Sequence, residues 1–170
     1  MELNYHWIQC KEGYYTKLNR SNVKSIILHS TDGRKGGDIP VLTGQTSRKV
    51  SVHWYTTREG EIYHFVQDSD AAYHAGKTID PSKYDNEYSI GIGQEHFDDN
   101  HENWPEVQVR ATALVVAYLR QKYKYAIPVK SHASIAAPLG RKVDPVDYPW
   151  DDLSKYVAEY MKETIVPKGI

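Results

Sequence analysis

Cysteine is nearly absent from this chain, since Cys10 is the single one among 170 residues. One thiol excludes an internal disulfide and a cysteine-rich metal site, so a metal bound here would have imidazole and carboxylate ligands. No stretch approaches the roughly 18 consecutive apolar residues of a membrane span. The N-terminal segment MELNYHWIQC lacks a basic region followed by an apolar run, which predicts synthesis in the cytoplasm without a secretory signal peptide.

An excess of charge of either sign is missing as well. The chain has 21 Lys and Arg against 22 Asp and Glu, and its formal net charge is −1. Because nucleic-acid-binding domains usually carry a basic excess or stripe, we expect no nucleic-acid partner. The lack of a spanning segment likewise predicts no membrane partner. What the composition does offer is eight histidines.

Short apolar and β-branched runs predict the strands of a sheet. Residues 25–30 (SIILHS) are typical of a buried strand. Residues 51–57 and 61–66 are separated by Arg-Glu-Gly, a pattern that predicts a β-hairpin. Further strands are predicted within residues 88–97 and at residues 127–132.

Two helices are predicted in the second half of the chain. The first begins at Pro105 and has apolar residues at helical spacing, namely Val107, Ala111, Leu114, Val115 and Tyr118. The second begins near Asp151 or Asp152 and ends at Pro167, with an apolar stripe formed by Leu153, Tyr156, Val157, Tyr160 and Met161. Residues 32–50 predict a long loop with at most one helical turn, and residues 1–22 show no clear period. Strands interleaved with helices predict an α/β fold with a central mixed β-sheet flanked by helices.

Two histidines lie at the ends of predicted strands, where sites are often built. His29 ends the strand at 25–30, and His132 ends the strand at 127–132. Asp144 follows in the turn-prone segment Arg-Lys-Val-Asp-Pro. Two imidazoles and one carboxylate would give zinc three protein ligands and leave a fourth position for water. The spacing alone indicates this only weakly, because a histidine in such a place is more often a hydrogen-bonded structural residue.

Four blocks of the sequence resemble the zinc-dependent N-acetylmuramoyl-L-alanine amidases, which are related in fold to peptidoglycan-recognition proteins and to amidase-type phage lysins. The blocks are ILHST at 27–31, SVHWYTTREGEIYHFVQDSDAAYHAG at 51–76, NEYSIGI at 86–92 and SHASIAAPLGRKVDPVDYPW at 131–150. They follow the family's order over roughly residues 20–155. The resemblance implies a mixed sheet flanked by helices, one bound Zn²⁺, and hydrolysis of the amide that joins N-acetylmuramic acid to L-alanine.

The resemblance also assigns roles to individual residues. The positions that match the family's three zinc ligands are His29, His132 and Asp144. Lys142 matches a residue placed to stabilise the developing oxyanion, and His74 matches a residue that lines the substrate groove. Tyr73, beside His74, is a further candidate for the groove because aromatic side chains dominate contact surfaces.

One departure from the family's pattern concerns the general base. Relatives with Ser-Ile-Gly-Ile-Glu place the catalytic glutamate directly after the second isoleucine, where this chain has Gly93. Glu95 lies two residues further on and in a strand would face the same side. We therefore take Glu95 as the hypothetical base, brought into place by a register shift or bulge that Gly91 and Gly93 permit. The alternative is that Glu95 is a supporting or surface carboxylate and that the catalytic carboxylate is missing.

The remaining histidines have ordinary explanations. His53 and His64 lie in the predicted hairpin, where packing within the sheet is the expected role. His6, His96 and His101 have polar neighbours in the sequence, and we expect them to be exposed.

We therefore predict a peptidoglycan amidase whose partner is peptidoglycan or a muramyl peptide. Residues 1–170 are expected to form a single catalytic domain, without a separate wall-binding domain, and to act as a monomer. The enzyme would act on the cell wall, released by lysis or through a holin if a phage encodes it. Two alternatives remain open: a module that binds muramyl peptides without cleaving them, and a toxin delivered to rival cells.

Overall fold

A computed structural model describes residues 1–123 and 127–170. The strands in these ranges are β1 (Glu2–Trp7), β2 (Tyr15–Thr16), β3 (Ser25–Ser30), β4 (Trp54–Thr56), β5 (Ile62–His64), β6 (Ala71–Ala72), β7 (Ser89–Gln94), β8 (Val129–Ser131) and β9 (Val166–Gly169). The helices are α1 (Lys35–Leu42), α2 (Pro81–Tyr84), α3 (Glu106–Lys122), α4 (His132–Ile135) and α5 (Trp150–Tyr160).

The strands form one large mixed sheet and one small ribbon. The large sheet has seven strands in the order β8-β3-β7-β4-β5-β1-β9, and β2 pairs with β6 in the ribbon. Strands β8, β3, β7 and β4 are parallel neighbours, while the β4–β5 hairpin is antiparallel and reverses the direction for β5, β1 and β9. The prediction of a mixed sheet flanked by helices is confirmed, as are the hairpin and the buried strand β3.

The two faces of the sheet have different roles. Ile26, Leu28, Ile90 and Ile92 pack with buried residues of α3 and α5 to form the main hydrophobic core. Alternate residues of a strand point to opposite faces, so the other face carries a different row of side chains. On that face, one row of neighbouring residues crosses the sheet from β3 to β1. In order, its members are His29, Gly93, Tyr55, Tyr63 and His6. The candidate site lies on this second face.

Several elements differ from the sequence-based expectations. Helix α1 occupies eight residues of a segment that was predicted to be mostly loop. The prediction was wrong because Gly36, Gly37 and Pro40 have low helix propensity. Strand β1 lies in the segment without a clear period, and it is held by pairing with β5 and β9. Pro167 does not end helix α5, which stops at Tyr160; it lies in β9, at the edge of the sheet, where proline is tolerated.

Single positions also differ. Val107 was expected on the apolar face of α3, yet half of its surface is exposed. His132 begins helix α4 directly after β8 rather than ending that strand. None of the helices in the described parts of the chain is long and apolar enough to cross a membrane.

Candidate active site

The predicted ligand residues come from neighbouring parts of the sheet. His29 lies near the carboxyl end of β3, and His132 is the first residue of α4, directly after β8. Strands β3 and β8 are parallel neighbours, so their carboxyl ends meet at the same edge, where sites in such sheets usually form. The loop after α4 returns to this edge, because the backbone N–H of Ala133 donates to the Asp144 carbonyl at 2.9 Å. The fold thereby brings together residues that are far apart in the sequence.

Three donor atoms converge at this edge. His29 Nδ1 lies 3.1 Å from His132 Nδ1 and 3.5 Å from Asp144 Oδ2, and His132 Nδ1 lies 3.1 Å from Asp144 Oδ1. A tetrahedral zinc ion with ligands at about 2.0–2.1 Å requires donor atoms about 3.3 Å apart. The three side chains are therefore spaced as the ligands of one ion would be, and two imidazoles with one carboxylate form a donor set suited to zinc.

Hydrogen bonds fix which nitrogen of each ring is free. His132 Nε2 lies 3.0 Å from the Ala75 carbonyl oxygen, so Nε2 carries the hydrogen and Nδ1 keeps its lone pair. His29 Nε2 lies 2.9 Å from His74 Nδ1, and His74 Nε2 lies 3.2 Å from Ser89 Oγ. The Ser89 hydroxyl itself donates to backbone carbonyls of residues 84 and 85. It therefore accepts from His74, and His74 accepts from His29, which leaves His29 Nδ1 free as a ligand.

The protonation states suit metal binding as well. Burial lowers the pKa of His29 and lowers the pKa of His74 well below its usual range. Burial alone would raise the pKa of Asp144, but its contacts with the imidazoles of His132 and His29 outweigh this effect, so the pKa of this carboxyl lies well below its ordinary value. Neutral imidazoles and an ionised carboxylate are the forms that coordinate zinc.

The three donors lie in the wall of a cavity of about 670 Å³. This volume is within the range of roughly 300–1,000 Å³ that is typical of ligand sites. Lys142 and His74, both predicted as site residues, line it, and so do Gly93, Asp38 and Asp98. The cavity therefore joins the candidate metal centre to the two residues predicted to act on a substrate.

The other two predicted residues lie elsewhere. Tyr73 is not among the residues that line the cavity, and its hydroxyl is 2.9 Å from Thr16 Oγ1 of the small ribbon. Glu95 follows β7, and its carboxylate accepts hydrogen bonds from the backbone N–H groups of Lys35 and Arg58, each at 3.0 Å. Strand β7 pairs with β3 without interruption from Ser89 to Gln94, so it has no bulge that would move Glu95 into the place of Gly93. The catalytic role of Glu95 stays a prediction.

Asp98 supports the site and was missed in the sequence. Its carboxylate accepts from Ser30 Oγ, which is next to His29 in the chain, and from the Val146 N–H at 3.2 Å, two residues after Asp144. It also contacts His96 Nδ1 at 2.9 Å. The expectation that His96 is exposed is wrong, because its ring is fully buried and stacked on Trp104 with 3.8 Å between centroids. The contacts of Asp98 with Ser30 and Val146 join segments that are distant in the chain, and no local pattern indicates them.

Known proteins resemble this chain in sequence pattern and in fold. The family model described as N-acetylmuramoyl-L-alanine amidase matches residues 19–147. A comparison with curated protein sequences gives no match.

Solved structures share the fold. A selenomethionine derivative of AmpD superposes with a TM-score of 0.78 at 22% identity, covering 90% of this chain and 94% of that one. AmpDH3 from Pseudomonas aeruginosa, in complex with anhydromuramic pentapeptide, gives a TM-score of 0.67 at 23% identity, with coverage of 88% and 63%. AmiD from E. coli, in complex with anhydro-N-acetylmuramic acid-L-Ala-D-γ-Glu-L-Lys, gives 0.68 at 23% identity, with coverage of 79% and 57%. The chain thus spans less than two thirds of the AmpDH3 and AmiD chains.

Proposed function

Because the chain belongs to the N-acetylmuramoyl-L-alanine amidase family, we propose that it is a zinc-dependent enzyme that cleaves the bond between N-acetylmuramic acid and L-alanine in peptidoglycan. The family match confirms the predicted family and enzyme class. The observation that carries the zinc dependence is the convergence of His29 Nδ1, His132 Nδ1 and the Asp144 carboxylate at 3.1–3.5 Å.

The residues around this group have separate tasks. The zinc ion that His29, His132 and Asp144 would hold would supply Lewis acidity, which makes water a better nucleophile at neutral pH. His74 holds His29 in the tautomer that leaves Nδ1 free, because it accepts the hydrogen of His29 Nε2. Lys142 lines the cavity two residues before Asp144, and its ammonium group would stabilise the negative charge that develops on the substrate carbonyl oxygen.

The proposed substrate is a muramyl peptide. AmpDH3 and AmiD were solved with ligands of this class, and both share the fold of this chain. The cavity beside the three donors is large enough for part of such a molecule. His74 and the neighbouring Tyr73 are proposed to contribute to substrate binding, His74 from the cavity wall.

We further propose that the described chain works as one catalytic domain and as a monomer in the lysis or remodelling of the bacterial cell wall. The large sheet supports a single unit, because it includes the first and the last strand of the chain. An endolysin setting is supported by similarity in fold to the Ph2119 endolysin of a Thermus scotoductus bacteriophage.

The test is hydrolysis of a muramyl tripeptide, followed by chromatography of the released peptide. Wild type is expected to release the peptide, to lose this activity after dialysis against a chelator, and to regain it with added zinc. The His132→Ala variant should be inactive both before and after zinc is added. Turnover that survives complete removal of zinc would exclude the metal mechanism.

Binding of muramyl peptides without cleavage is the second candidate, and Gly93 is the observation that favours it. Calorimetry with the same tripeptide separates the two functions. Saturable binding by zinc-loaded wild type with no released peptide over a day would support the binding module and contradict the amidase.

A further inference from the structure

Hydrolysis of an amide needs a group that takes a proton from the attacking water and later gives one to the leaving amine. The inference that follows rests on the proposed amidase function and concerns the residue that performs this transfer. The group must be a base at neutral pH and must face the cavity that contains the three donor atoms. A carboxylate that lines the cavity and has one oxygen without a hydrogen-bond donor is suited to this task.

Few carboxylates of the described chain line the cavity, namely Asp32, Asp38, Asp98, Asp99 and Asp144. Asp144 belongs to the three-donor group. The two oxygens of Asp98 already accept from Ser30, Val146 and His96. Asp32 and Asp99 are exposed to solvent, so their side chains are less restrained than those of the buried carboxylates. This leaves Asp38.

Glu95 is a less suitable base in this structure. It is absent from the cavity lining, and each of its oxygens accepts a backbone N–H, from Lys35 and from Arg58. These two hydrogen bonds tie the start of helix α1 and the β4–β5 turn to the end of strand β7. A carboxylate in such a position has a clear structural task, since its removal would leave two backbone donors without their partner.

Asp38 is hydrogen-bonded through one carboxylate oxygen and not through the other. Only 7% of its surface is exposed, and its Oδ2 accepts from Thr31 Oγ1 at 2.6 Å and from the Tyr55 hydroxyl at 2.7 Å. Its Oδ1 lies beside Gly33, so close that a Cβ on residue 33 would come within 2.2 Å of it. In the part of the chain that the structure describes, no donor forms a hydrogen bond to Oδ1.

The environment of Asp38 also suits a base. Burial raises the pKa of Asp38, and the hydrogen bonds from Thr31 and Tyr55 only partly oppose this effect. A general base works best when its pKa approaches the working pH, so the direction of this shift favours proton transfer.

Gly93 lines the same cavity as Asp38 and the metal-binding group. In the sheet, Gly93 lies between His29 of β3 and Tyr55 of β4, and Tyr55 donates to Asp38. A Cβ on residue 93 would meet Val52 and Tyr55 at 3.4–3.5 Å, which is ordinary contact. A methyl group would therefore fit at residue 93, and with glycine there its place in the cavity wall stays open.

We propose that Asp38, in place of Glu95, accepts the proton of the attacking water. As the water oxygen bonds to the carbonyl carbon, one O–H bond breaks and the proton passes to Asp38 Oδ1. When the C–N bond breaks, the same proton passes to the nitrogen of L-alanine. The products are the free lactyl carboxyl group of N-acetylmuramic acid and a peptide with a free amino group, so atoms and charge balance.

The test compares Asp38→Asn with wild type, with Asp151→Asn as a matched exposed control on helix α5. Asp38→Asn should lower kcat by about 100-fold or more, the usual contribution of a general base. Its zinc content, measured by mass spectrometry, and its affinity for the muramyl tripeptide should stay at the wild-type values. The double variant Asp38→Asn/Gly93→Glu should regain part of the activity, because a carboxylate then enters the open space beside the site.

A second measurement separates a catalytic from a structural role. Tyr55→Phe removes one hydrogen bond to the ionised form of Asp38, so the pKa of Asp38 should rise. The acidic limb of the kcat/KM profile should move to higher pH in this variant. A profile that stays in place while the melting temperature falls would indicate that Tyr55 and Asp38 only support the fold.

The outcomes distinguish this proposal from the proposed function. An active wild type with an equally active Asp38→Asn overturns the role of Asp38 and leaves the amidase function standing. Loss of kcat in Glu95→Gln at unchanged stability, with Asp38→Asn active, returns the role to Glu95. A zinc-loaded wild type without turnover overturns the amidase function, and the role of Asp38 with it.

Discussion

Gly91 lies against the imidazole of His74, so close that a Cβ on residue 91 would come within 2.5 Å of the ring's Cγ. Because the other ring atoms would be almost as near, no side chain fits at residue 91 while His74 keeps its place. His74 in turn contacts both His29 and Ser89. Gly91 therefore leaves the room that His74 needs to form its hydrogen bonds with His29 and Ser89 behind the candidate metal centre.

Gly91→Ala should displace His74 and destabilise the protein by about 1–3 kcal/mol, as other overpacked sites do. Affinity for zinc should fall as well, because His29 loses the partner that orients it. Urea denaturation and competition with a zinc chelator measure the two effects. Gly36→Ala is the control: nothing lies within 4 Å of its added Cβ, so this helical alanine should leave stability equal or slightly higher. Wild-type zinc affinity in Gly91→Ala would show that the position of His74 does not matter.

Zinc binding should raise the melting temperature. A ligand at about 100 times its Kd stabilises the folded state by about 2.7 kcal/mol. For a chain of this size each kcal/mol corresponds to about 2–4 °C, so a rise of about 5–10 °C is expected. Differential scanning calorimetry with and without zinc checks this, with His132→Ala as the variant that should show no rise. An equal rise in His132→Ala would place the zinc ion elsewhere on the protein.

Lys142→Ala should lower kcat by about 100-fold or more, because the loss of one oxyanion-stabilising group usually costs that much. Its melting temperature should still rise with zinc, since Lys142 is not one of the three donors. Steady-state kinetics on the muramyl tripeptide, together with calorimetry, separates the two properties. A normal kcat in this variant would leave Lys142 as a solvated residue of the cavity rim.

Acid should destabilise the protein through protonation of Asp68. This side chain is only 1% exposed, and its carboxylate accepts hydrogen bonds from Trp54 Nε1 and Lys122 Nζ, each at 2.8 Å. Burial alone would raise the pKa of Asp68, but His64 and Lys122 outweigh it, and the pKa lies well below its ordinary value. The unfolded chain therefore binds a proton before the folded chain does. The stabilisation is complete above about pH 4–5 and is lost progressively as the pH falls below that.

Asp68→Asn tests this, with urea denaturation at pH 7 and at pH 3. The variant should be less stable at pH 7 by about 1–3 kcal/mol, because the hydrogen bond from the partly exposed Lys122 to the ionised carboxylate is lost, and its stability should change less between the two pH values. Glu106→Gln, which removes an exposed ion pair with Arg110, is the control and should match wild type at pH 7. A wild-type acid response in Asp68→Asn would assign the effect to other carboxylates.

The sequence predicted the elements whose patterns are local. Strand β3, the β4–β5 hairpin and the helices α3 and α5 follow from their own apolar spacing. Strand β9 could not be found in this way, because it depends on pairing with β1 at the other end of the chain. Its residues carry no alternation of apolar and polar side chains and are exposed throughout. Strand β1 (ELNYHW) does alternate, but it was not predicted because the surrounding residues 1–22 as a whole show no clear period.

The same distinction holds for the site. The positions of His29, His132 and Asp144 could be inferred because each lies in a recognisable block of sequence, and the structure brings them together. Asp38 and Asp98 could not be inferred, since their partners are Tyr55 for the one and Ser30 and Val146 for the other. A carboxylate in a loop-like segment gives no sign of which distant donor it will meet.

Strand β9 also protects the sheet from unwanted pairing. The N–H groups of Val166 and Ile170 point inward, to the carbonyls of Met1 and Tyr5, so the alternate N–H positions, which include Pro167, point outward. Proline has no N–H, and the next residue is the charged Lys168, so a further strand gains little by adding to this edge. Removal of residues 166–170 would leave one edge of the six-residue strand β1 unpaired. Strands of other chains could then pair with this edge, so the truncated protein should aggregate more readily.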